Sequence, residues 1–176
     1  MKHTLSLILL LAFSCGVKAQ CQLITSQQTI SYGSLSAMER QSAGGNAITL
    51  PEKQLTLNVM CDKPQRIRLF FGSSLPQGGN FALGEKGEMK FTAMKARVDD
   101  RDVLLAPVTS AHGELTAAEA SQVDINLNDG IAFVSGNELT GKTMSVTLAV
   151  NANIKSAPIT DRVKYRGNLQ VRVEAQ

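Results

Sequence analysis

The chain has 176 residues, with 18 Lys and Arg against 15 Asp and Glu and a formal charge of +3. So small an excess gives no electrostatic footing for nucleic acid or an anionic membrane surface, both of which call for clustered positive charge. Aromatic residues are 5% of the chain and Trp is absent; a stacking platform for sugars is therefore disfavoured, and Tyr32, Tyr165 and the phenylalanines are expected in the core.

Residues 1–19 read as an export signal peptide. Lys2 and His3 make a basic start, Leu5 to Phe13 an apolar run, and Val17-Lys18-Ala19 a small-residue cleavage site, with the cut between Ala19 and Gln20. The apolar run is far shorter than the ~20 residues of a spanning helix, so no membrane span is expected. Cys15 sits in a poor context for lipid attachment. Residues 20–176 are then a single domain, large enough to bury one core without metal. The leader carries Lys2, Lys18 and no acid, so the charge falls from +3 to +1. It also carries Cys15, which leaves Cys21 and Cys61 as an even pair in an exported chain, the setting in which cysteines pair as a disulfide.

Short alternating runs separated by turn residues recur along the rest of the chain, the pattern of an all-β sandwich. Leu23–Ile24 and Ile30–Tyr32 read as two parts of a broken first strand. A Gly/Asn break follows at Gly44-Gly45-Asn46. Leu55, Leu57, Val59 and Cys61 alternate as a second strand, with Cys61 pointing inward. Asp62-Lys63-Pro64 reads as a turn. Ile67, Leu69 and Phe71 give a third strand, and Gly72 to Gly87 a glycine-rich loop with a short strand at Phe81 to Leu83. Met89 to Val98 is a less regular strand; Asp99 to Asp102 turns the chain so that Val103 to Val108 pairs back across it. Ser110 to Ser121 is small and polar, with one helical turn capped near Thr116 to Glu119. Val123, Ile125 and Leu127, then Asn128-Asp129-Gly130, then Ile131 to Val134 carry a hairpin signature. Met144 to Ile154 is the longest alternating run. After a linker at Pro158 comes Tyr165-Arg166-Gly167, and Leu169, Val171, Val173 and Ala175 close the chain as a final strand.

No constellation reads as catalytic. His112 is the one histidine past the leader and has no visible acid-base partner. Asp99, Asp100 and Asp102 lack the Gly and distal Glu of a calcium loop and read as a charged turn. The paired glycines precede neither a helix nor a Lys-Ser/Thr pair, so they do not suit a phosphate cradle. No cofactor and no metal is implied, and the chain is not expected to be an enzyme.

Cys21, then Ile30-Ser31-Tyr32-Gly33-Ser34-Leu35-Ser36, then Leu55-Thr56-Leu57-Asn58-Val59-Met60-Cys61-Asp62 resembles the start of chaperone-usher fimbrial (pilin-like) subunits. Gly141 to Leu148 and Tyr165 to Val173 look like later strands of the less-studied fimbrial-like proteins of that group. The resemblance implies an immunoglobulin-like β-sandwich that lacks its last strand. A periplasmic chaperone would lend a strand to the gap, and a neighbouring subunit would replace it in the fibre by strand addition. It also implies that Cys21 and Cys61 are the family disulfide, that Leu169, Val171 and Val173 line the groove, and that the carboxylate of Gln176 is the end a chaperone anchors. Two positions depart from the pattern: Ala175 stands where an aromatic is usual, and Gly167 lies closer to the end than the usual groove glycine.

With cleavage after Ala19, only Gln20 precedes Cys21, and one residue at ~3.3 Å cannot span a groove. The expectation is therefore a fimbrial subunit that accepts a strand without donating one, placed at a fibre tip or outside the fibre and acting in cell adhesion. Its partners would be a periplasmic chaperone, an outer-membrane usher, other fimbrial subunits and a host receptor bound through loops such as 72–87. It would travel through the periplasm to the cell surface. The alternative is a self-contained periplasmic or surface β-sandwich that binds a ligand outside any fibre.

Overall fold

The computed structural model describes residues 20–25, 29–34, 38, 47–74, 76–77, 79–155 and 164–176. The leader with Ala19, the Gly44-Gly45-Asn46 break and the Pro158 linker lie outside the described residues. The fold is all-β and sandwich-like. Its strands are β1 (Cys21–Thr25), β2 (Thr29–Ser34), β3 (Ile48–Thr49), β4 (Lys53–Gly72), β5 (Pro76–Gln77), β6 (Asn80–Leu83), β7 (Gly87–Val98) and β8 (Arg101–Asp102). They continue as β9 (Leu104–Val108), β10 (Gln122–Ile125), β11 (Gly130–Ser135), β12 (Asn137–Glu138), β13 (Thr140–Ile154), β14 (Lys164–Asn168) and β15 (Gln170–Ala175). Every ladder is antiparallel, and the strands form one sheet that curls over on itself.

The long strand β4 makes the curl possible. Its first half pairs with β1 and β13, and its second half with β11 and β15. Between these halves Asp62, Lys63 and Pro64 have no partner in the strand registers, although the chain stays extended. The turn expected there is thus absent. Proline has no N–H to give to a ladder, so it is tolerated at the one stretch of β4 where the ladders change over.

Alternation decides which side chains meet inside. Leu55, Leu57 and Val59 of β4, Met144 to Ile154 at every second position of β13, and Phe91 and Ala93 of β7 form one wall. Ile67, Leu69 and Phe71 of β4, Ile131 and Phe133 of β11 and Leu105 of β9 form the other. All are buried, as are Tyr165 and Phe81. A smaller cluster, Phe70, Ala106, Val108, Ala132 and Val134, lies on the far face of the β4–β11–β9 layer, with Ala111 packed on it.

Two expected pairings are corrected. Leu104–Val108 does not fold back across the Asp99–Asp102 turn; Arg101 and Asp102 do so briefly as β8, and β9 pairs with β11. Nor do the runs on either side of Asn128-Asp129-Gly130 pair with each other, since β10 lies against β7 and β11 against β4 and β9. The turn itself docks on β4: Asn128 N–H donates to the Phe71 carbonyl at 2.8 Å, and Phe71 N–H to that of Asp129 at 2.9 Å. No helical turn forms at Thr116–Glu119. Instead the Thr116 N–H and hydroxyl both donate to the Pro107 carbonyl, which ties this segment along the edge of β9.

Candidate functional site: an open strand edge

β14 and β15 form one ribbon through Leu169. Tyr165, Gly167 and Leu169 are buried along it, and Val171 and Val173 continue the same inward phase half-buried. On one side the ribbon meets β6 around Arg166 and Gly167 and is paired with β4 along the whole of β15. Gly84 N–H donates to the Arg166 carbonyl, Gly167 pairs with Leu83, and Gln170 to Ala175 pair with Gly72 to Ile67.

The other side is divided. Backbone groups in an antiparallel ladder point alternately to the two sides. Arg166 bonds toward β6, and Gln176 exchanges bonds with Arg66 of β4, so the even-numbered residues serve the paired side. The odd-numbered ones serve the other. There β2 covers the first half, with Asn168 opposite Thr29 and Gly167 opposite Ile30. Along the second half, the N–H and C=O groups of Val171, Val173 and Ala175 face no partner strand among the described residues.

Across this gap lies β1. Asp62 N–H donates to the Gln20 carbonyl, so the same alternation turns the backbone of Cys21, Leu23 and Thr25 away from β4 and toward the gap. Cys21 and Leu23 pack half-buried against the core. β1 and β15 come within 8 Å, Cα to Cα, with no ladder between them. A strand bonded to both would need about 9.6 Å between them, so it must spread them where they come this close.

Cys21 and Cys61 form a disulfide and are register partners in the β1–β4 ladder. The bond fixes one wall of the gap to the core.

Of the residues that the resemblance assigns to a groove, Val171 and Val173 flank the gap, while Leu169 is buried at 8% exposure. Gln176 is turned toward the 110–113 segment: its side-chain amide donates to the Ala111 carbonyl, lies 3.2 Å from His112 Nδ1, and accepts from Arg66 Nη2 at 2.9 Å.

Sequence reading missed the side chains that hold this end of the ribbon. Arg68, at 5% exposure, makes a two-pronged pair with Glu138 at 2.8 and 2.9 Å and donates to the carbonyls of Ser110 and Gly113. Its position in β4 alternates with apolar neighbours and carries no motif. A charge set between Ile67 and the apolar run Leu69-Phe70-Phe71 was the available signal.

The acidic turn is structural in its bonding. Asp99 accepts from the N–H groups of Lys142 and Thr143 and from the Thr143 hydroxyl, and these bonds, with Arg101 nearby, hold its carboxyl below the ordinary range. Arg97 pairs with both Asp100 and Asp102. No cluster of three metal-ligating side chains occurs among the described residues, and none of their helices is long and apolar enough to cross a membrane.

The chain is 28% identical over its whole length to the uncharacterized protein YhcE of Escherichia coli (strain K12), and the alignment also covers all of that protein. No protein-family model matches the chain.

Proposed function

We propose that this protein is an exported fimbrial subunit of the chaperone-usher type, completed by a strand from another chain and acting in adhesion rather than catalysis. One observation carries the proposal: the half-buried pair Val171 and Val173 stands beside backbone donors and acceptors that no described strand satisfies. An edge of this kind, with an apolar floor, is a template for strand addition, in which backbone bonds give affinity and alternate side chains give specificity. On this reading a periplasmic chaperone, an outer-membrane usher and neighbouring subunits are the partners, and the cell surface is the destination.

The test is periplasmic expression with and without a fimbrial chaperone. The expected result is a chaperone complex and a large gain in protease-resistant protein. An equal yield of free monomer in both cultures, with no complex, overturns the proposal. It would favour the second reading, a self-contained surface or periplasmic β-sandwich that binds a ligand. The observation on that side is β2, which already seals half of the ribbon's edge.

A further inference from the structure

We infer that the open edge takes a partner segment of only about five residues, apolar at its first, third and fifth positions, and that β2 marks where this segment must stop. The inference rests on the acceptor reading above. It concerns how much of the ribbon a partner can use.

Side chains of residues directly opposite in a ladder share a face. The outward-bonding residues of β15 are Val171, Val173 and Ala175; the first two pack half-buried against the core, and Ala175, in the same phase, is exposed at the mouth of the gap. A partner strand therefore places three side chains inward, between this row and Leu23 of β1, and its two intervening side chains face water. Beyond Leu169 the same edge belongs to β2.

β2 is held by more than its ladder. Ile30 is 1% exposed and belongs to the main core. The Tyr32 hydroxyl donates to the Val150 carbonyl at 3.4 Å; burial first, and then the charge of Glu52, raise its pKa, so it stays a donor at neutral pH. Lys53 Nζ donates to the Ser31 carbonyl at 2.8 Å and stands 4.9 Å over the Tyr32 ring. A longer partner strand could gain the edge of β14 only by pulling Ile30 out of the core and breaking each of these contacts. The bonds it gained there would only replace those that β2 already makes, so the exchange is unfavourable.

The experiment uses the oxidised protein, residues 20–176, and two fluorescent peptides with lysine-flanked cores. One core is Val-Thr-Val-Thr-Val, and the other continues the same alternation to nine residues. Affinities are read by polarisation, and Ile30 amide protection by hydrogen exchange. The inference expects the two affinities to agree within about threefold, with Ile30 protected in both complexes. A nine-residue core that binds more than about tenfold tighter, with Ile30 protection lost, overturns the inference and leaves the acceptor reading standing. Binding by neither peptide removes both.

Discussion

Gln176 and Arg66 exchange both of their backbone hydrogen bonds, at 2.9 and 3.0 Å. That pair fixes the phase of the whole ladder: Glu174 N–H points into the protein toward β4, and Ala175 N–H points out to the gap. Proline should distinguish the two positions, because it removes one N–H and is tolerated only where that N–H is unused. Ala175→Pro should keep the native unfolding midpoint and weaken capture by a chaperone or a strand peptide. Glu174→Pro should cost about 2 kcal/mol of stability, read by denaturant titration. Equal loss of stability in both variants would show that the outward N–H is already in use.

The Cys21–Cys61 bond closes a separation of 40 residues. In the chain-entropy account a loop of that size is worth about 4 kcal/mol, a large part of a small domain's stability. The double variant Cys21→Ser with Cys61→Ser should lose roughly that much in urea unfolding, and the oxidised protein should lose about the same on full reduction.

Arg68 and Glu138 expose only 6% and 12% of their side chains. Removing Arg68 leaves Glu138 largely out of water, with only the longer contact to Arg66 Nη1 at 3.7 Å. Arg68→Ala should therefore destabilise the fold by about 3 kcal/mol. It should also raise hydrogen exchange in residues 109–121, whose Ser110 and Gly113 carbonyls lose their donor. Replacing both partners with apolar residues of similar size should recover much of the loss.

Asp99 has a folded pKa below its ordinary value of 3.8, chiefly because the Thr143 N–H bonds to the carboxylate. A group whose pKa is depressed by folding stabilises the fold above its unfolded pKa, and that contribution is lost as pH falls through the folded value. The corner joining Val98–Arg101 to Lys142–Thr143 should loosen only in acid below the ordinary carboxylate range. A carbon-detected NMR titration should place the Asp99 midpoint below the ordinary carboxylate value. Asp99→Asn should remove this part of the acid sensitivity.

Gly130 begins β11 against β4, and a Cβ there would lie 2.6 Å from the Leu69 carbonyl oxygen. Backbone cannot move aside as the end of a side chain can. Gly130→Ala should cost about 2 kcal/mol, measured by thermal or urea unfolding, whereas Gly136→Ala, with open space but a φ of 73°, should cost about 1 kcal/mol through backbone strain alone.

Much of the fold was legible because a half-buried strand writes its inward face at every second residue. Leu55, Leu57 and Val59, and likewise every second residue from Met144 to Ile154, read directly as core, and they are buried. Partner choice was less legible. Asn128-Asp129-Gly130 announces that the chain turns, yet the same residues can close a hairpin or carry the chain onto another layer. Here the turn bonds to Phe71, and the strands on its two sides part. Asp62-Lys63-Pro64 failed for a related reason: a proline marks a missing donor, and only the surrounding ladders decide whether a donor is needed there.

By itself the sequence determined the all-β character and the inward faces of the main strands, since these follow from local alternation, and it pointed to Cys21 and Cys61 as the pair that the structure bonds. Only the tertiary structure decided that β1 and β2 go to different partners, with β1 pairing with β4 and β2 with β14. That division leaves half of one ribbon edge covered by β2 and half without a partner strand among the described residues. Hydrogen bonding between distant segments is set by which surfaces the buried core brings side by side, and no short window of residues contains that information.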